Sequence, residues 1–115
     1  MNATTSVLGT KYKVYLTDLN NPDISDCSGK CYVYKKEIAI RDPKYLVLQD
    51  VDDSERQQIF QEVLLHELIH AYGKESGTHY DDDENLTDWI AQTIPKIIKS
   101  YDEVLKQLQE QEANE

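Results

Sequence analysis

His66-Glu67-Leu68-Ile69-His70 sets two of the chain's three histidines four residues apart around a glutamate. On an α-helix, residues four apart stack on one face a turn from each other, so two imidazoles could grip a single ion. Zinc suits such a pair. Glu67 lies beside the first histidine and off the ion, where it could take a proton from an activated water as that water attacks a carbonyl. A His-x-x-x-His pair also arises by accident, as hydrogen-bonded core or surface residues. The scarcity of histidine here argues against accident.

The chemistry requires a helix under the pair, and the sequence supplies one from about Ser54 to Tyr72 with no Pro or Gly inside. Asp52, Asp53 and Ser54 mark its start, and Ser54 with Gln57 has the form of a capping box. At about 100° per residue, Phe60, Leu64, Leu68 and Ala71 make one apolar stripe. Ile59, Val63, His66 and His70 fall on the adjoining face with Glu67 at its border. Leu65, Ile69 and Tyr72 widen the apolar surface, so the histidines and Glu67 are expected to be at least half-buried. Buried imidazoles need partners, and one ion would satisfy both.

Catalytic zinc commonly takes three protein ligands and keeps a position for water. Gly73 falls where a glycine turn would precede a third histidine in H-E-x-x-H-x-x-G-x-x-H, but Ser76 holds the histidine's place and His79 comes three residues late. A following helix offers the other route. Glu84 and Asp88 are four apart on one face with small Ala91 beside them, while Leu86, Trp89, Ile90 and Ile97 read as a core stripe. Glu84 could reach the ion while Asp88 accepts from the far nitrogen of a ligating histidine. Asp88 and His79 remain alternatives for the third ligand. The run Asp81-Asp82-Asp83-Glu84 could also be a solvated helix cap.

The pentapeptide at 66–70 followed by Glu84-x-x-x-Asp88 resembles the gluzincin group of zinc metallopeptidases, in a reduced form similar to short phage and prophage proteins that carry H-E-x-x-H. The likeness covers about residues 38–94. It implies His66, His70 and Glu84 as ligands of one zinc ion, Glu67 as general base, Asp88 as a partner behind a ligand, and hydrolysis of a peptide or protein substrate. The interval to Glu84 is shorter than in larger gluzincins.

An oxyanion donor would complete such a site, and His79 and Tyr80, in the loop between the two helices, are the candidates. Gly73 and Gly77 mark the turn that ends the first helix. Upstream, Lys11 to Thr17 alternates as a strand, Cys31 to Ile40 reads as a second, and Tyr45 to Leu48 as a third or an extended stretch. The gluzincin resemblance further implies the strand ending near Ile40 as the edge for an extended substrate. Cys27 and Cys31 flank a turn-like Ser28-Gly29-Lys30. They read as reduced thiols, with a small disulfide or a second metal site as alternatives.

The expected architecture is one zincin-like α+β domain spanning residues 1–115, a short N-terminal sheet packed on the motif helix and C-terminal helices. The chain has a net charge of −10, which opposes binding to a phosphate backbone, so no nucleic-acid partner is expected. Residues 1–8 lack the features of a signal peptide, and no apolar run is long enough for a membrane span. A cytoplasmic protein is the expectation. Beyond Pro95, which should kink or restart the helix, residues 96–108 are amphipathic. Two other functions fit the same residues: a zinc-binding interaction protein without proteolytic activity, and a metal-free acidic binding protein.

Overall fold

The computed structural model describes residues 2–18, 21–22, 28–45 and 51–114, which form an α+β arrangement of a four-stranded mixed sheet and two long helices. Strands β1 (Asn2–Val7) and β2 (Thr10–Thr17) make an antiparallel hairpin, with Val7 opposite Thr10 across a turn at Leu8 and Gly9. Strands β3 (Gly29–Tyr32) and β4 (Glu37–Arg41) make a second. β2 pairs in parallel with β4, giving the order β1-β2-β4-β3. The segment 31–40 is therefore two strands, broken at Val33–Lys36, where Lys36 takes a left-handed φ of 57°. β4 lies inside the sheet and β3 ends it, so the strand ending near Ile40 is not the edge. Residues 46–48 of the expected third strand lie outside the described residues, and Pro43–Tyr45 form a 3-10 turn.

Helix α1 (Asp53–Ser76) starts two residues earlier than its capping motif suggests. The cap is Asp52, whose carboxylate accepts from the Glu55 amide at 2.8 Å. It ends at Gly77, whose φ of 74° closes the helix with its N–H on the Lys74 carbonyl. Gly73 lies within the helix and does not break it. Helix α2 (Glu84–Ala113) is capped by Asp83, which accepts from the Leu86 amide, and it continues through Pro95 without restarting.

The core lies between sheet and α1. Val7, Tyr12, Ile38, Ile40 and Ala71 are buried, and Phe60, Val63, Leu64 and Leu68 pack on them from the expected stripe. α2 instead buries Thr87 and Ala91, leaving Leu86, Trp89 and Ile97 exposed, so the expected core stripe on that helix does not form. No further layer of described residues covers that side.

A polar clasp joins the sheet to the end of α1. The Tyr12 hydroxyl and the Lys36 ammonium donate to Glu75 Oε1 at 2.7 and 2.6 Å, and Thr10 donates to Oε2 at 3.2 Å. The bonds from Lys36 and Tyr12 hold the Glu75 carboxyl below its ordinary range. A carboxyl whose folded pKa is lowered stabilises the fold above its unfolded pKa, and that stability is lost as pH falls through the folded value. Tyr12→Phe should cost about 1.5 kcal/mol near neutral pH, the worth of a bond to a charged acceptor. Denaturant titration should show the deficit shrinking as pH drops below the usual carboxylate range; a pH-independent deficit would assign it to packing.

Candidate metal centre

Consecutive turns of α1 carry His66 and His70, and the first turns of α2 bring Glu84 and Asp88 across to them. Buried Ala91, one turn further along α2, lets the two helices approach closely. The two histidine Nε2 atoms face each other at 3.1 Å. Glu84 completes the triangle, its Oε2 lying 3.2 Å from His66 Nε2 and its Oε1 2.9 Å from His70 Nε2. The rings meet edge to face with centroids 4.8 Å apart.

Each ring is held from behind. His66 Nδ1 lies 2.7 Å from Asp88 Oδ1, and His70 Nδ1 lies 3.0 Å from Asp81 Oδ2. An ionised carboxylate only accepts hydrogen bonds, so each Nδ1 meets its carboxylate as a donor, and in a neutral ring that leaves Nε2 with its lone pair toward the shared point. Acceptors facing one another at about 3 Å repel unless a cation or a proton lies among them. Protonating both rings would set two N–H groups head-on at 3.1 Å. One cation meets no such conflict. A tetrahedron with zinc–nitrogen bonds about 2.05 Å long has edges of about 3.3 Å, close to the observed separations. These residues therefore fit zinc.

In sequence Asp81 is only one member of an acidic run, yet it is fully buried. Its burial depends on Gly73, since a Cβ there would stand 2.1 Å from Asp81 Oδ1. Asp81 Oδ1 has no hydrogen-bond partner, while Oδ2 is shared between His70 and Lys74, whose Nζ is 3.4 Å away. The Thr87 hydroxyl donates to the Asp81 carbonyl at 3.2 Å, tying this loop to α2. The one sequence signal for Asp81 is a glycine inside a helix, which marks close approach by another group.

Glu67 sits on the sheet side of the pair, 6% exposed, with a carboxylate oxygen within 4.8 Å of donor atoms of both histidines. Burial holds its carboxyl above the ordinary range, His66 and His70 pull it down, and Glu84 raises it again. Gly29 of β3 passes so close that a Cβ there would stand 3.1 Å from Glu67 Cγ. Gly29 also lines two hollows. One, of about 280 Å³, is lined by Gly29, Val63, His66 and Asp88, and the other, of about 220 Å³, by Gly29, Cys31, Glu67, His70 and Lys74.

His79 and Tyr80 are not brought to the pair. His79 takes a left-handed φ of 58° and its Nδ1 lies 3.5 Å from Lys74 Nζ, while Tyr80 is exposed; neither lines the two hollows. Lys74 also pairs with Asp82 of the same loop.

Cys31 is a free thiol, and Cys27 lies outside the described residues. Burial, then the charge on Glu67, pushes the Cys31 thiol up to about 12. Because the thiolate is the nucleophile, iodoacetamide at pH 8 should label Cys31 roughly 10³-fold more slowly than an exposed cysteine. Peptide mapping by mass spectrometry measures this, and labelling at the exposed rate would contradict the burial.

No protein-family model, curated protein or solved structure matches the chain. No helix among the described residues is long and apolar enough to cross a membrane.

Proposed function

We propose that this chain is a minimal zincin-like metallopeptidase that hydrolyses peptide bonds with one zinc ion held by His66, His70 and Glu84. The observation that carries the reading is the convergence of both Nε2 atoms and the Glu84 carboxylate within 3.2 Å of one another, each ring fixed by its own carboxylate. Zinc, when bound, would supply a Lewis acid that lowers the pKa of a water toward about 7. Glu67 takes the proton of the attacking water and passes it to the leaving nitrogen, a role its burial beside the donor set supports. Asp88 and Asp81 keep the histidines in one tautomer and orientation.

Among the described residues β3 ends the sheet order and passes beside Glu67, with Gly29 lining both hollows, so an extended substrate would run along it, past the base. The openness of this path favours a peptidase over a docking module whose zinc is only structural, since structural sites are closed on all sides by protein ligands. The test is digestion of a broad peptide library by the zinc-loaded chain, read by mass spectrometry. Cleavage that a chelator stops and zinc restores is the expected result; an intact library under zinc saturation overturns the enzymatic reading and leaves a zinc-binding interaction protein.

A further inference from the structure

Ile90, Ile94, Ile97, Tyr101, Val104 and Leu108 follow one another along α2 in alternating steps of four and three, the spacing of a coiled-coil seam. Ile90 and Ile94 are half-buried against their own molecule. From Ile97 onward the seam is bare: Ile97, Val104 and Leu108 are each 56% exposed and Tyr101 is 64% exposed. Ile98 and Leu105, also exposed, widen the face on one side.

We propose that this outer half of α2 pairs with the same segment of a second copy of the chain. The bare face comprises six large apolar residues, each 38% to 64% exposed, so two copies would meet on the scale of the roughly 1,000 Å² that a specific interface needs. At this face charge does not oppose a like partner. A net charge of −10 opposes self-association in general, yet Lys96, Lys99, Asp102, Glu103 and Lys106 all project from the outer positions of the heptad. The positions flanking the seam on its polar side are Ser100 and Gln107, which are neutral. Two copies therefore meet with no like charges across the contact. The seam becomes bare roughly 13 Å along the helix axis from Asp88, so pairing leaves the cleft at His66 open. The pairing is independent of the metal reading.

Sedimentation equilibrium of the full chain across the micromolar range tests it. The expected mass is twice the 13.3 kDa of one chain. Tyr101→Lys with Val104→Lys should weaken the dimer at least tenfold, while Lys99→Glu with Lys106→Glu, on the outer face, should leave it intact. Circular dichroism checks that helix content is kept, and Tyr101→Ser with Leu108→Ser serves as the milder pair if it is not. A native chain that stays monomeric throughout overturns the proposal, including one that binds lipid vesicles instead. So does a dimer indifferent to both seam variants.

Discussion

Glu67→Gln should bind zinc as the native chain does and hydrolyse peptide 10² to 10⁴-fold more slowly, the usual worth of a positioned general base. Glutamine keeps the volume of glutamate in a site 6% exposed, where Gly29 leaves no spare room, so the fold and the donor set are preserved. What is lost is the ability to accept a proton. Glu67 sits beside the histidines and is not needed to close the triangle of donors made by His66, His70 and Glu84. Binding and turnover should therefore separate cleanly, with zinc content read by elemental analysis and turnover by the rate on a peptide cleaved by the native chain. Full turnover by Glu67→Gln would remove the base from the mechanism.

Gly73→Ala should lower zinc affinity 10 to 100-fold, the usual effect of disturbing the group behind a ligating histidine. Its sign on stability is the informative part. On an open helix face, replacing glycine by alanine stabilises by roughly 1 kcal/mol. Here the new methyl would stand 2.1 Å from Asp81 Oδ1, so the buried carboxylate must move and His70 Nδ1 loses its acceptor. The variant should thus be less stable than the native chain as well as a weaker zinc binder. Asp81→Asn should reproduce the affinity loss without the steric conflict, because a carboxamide can meet Nδ1 with its N–H and favour the wrong tautomer. A competition titration against a chelator measures both. A Gly73→Ala chain that is more stable and holds zinc unchanged would show that Asp81 does not govern His70.

The histidine pair is legible because helical periodicity is a strong local signal: the apolar stripe of α1 and the one-turn spacing of His66 and His70 are written in consecutive residues. The same holds for Glu84 and Asp88, whose spacing places both on the face that meets α1. β2 was legible through its alternation, with Tyr12, Val14 and Leu16 turned to the core. What sequence hid was set by contacts distant in the chain. The break between β3 and β4 falls at Val33-Tyr34-Lys35-Lys36, which lacks the Gly, Pro or Asn that ordinarily marks a hairpin turn. β1 is exposed along most of its length and carries no apolar alternation to announce it. Asp81 looks like its solvated neighbours until Gly73 makes room for it. On α2, periodicity marks an apolar face but does not say what covers it, and so Trp89 and Ile97 have the pattern of a core that the described residues of one chain do not build.

Zinc stoichiometry of the purified chain, alone and with His70→Ala or Glu84→Ala, bears most directly on the convergence of the two helices on one ion. The account predicts one zinc per native chain at saturation, a binding site abolished by His70→Ala, and affinity sharply reduced by Glu84→Ala. A native chain that takes up no zinc, or one whose affinity is unchanged by either substitution, would contradict it.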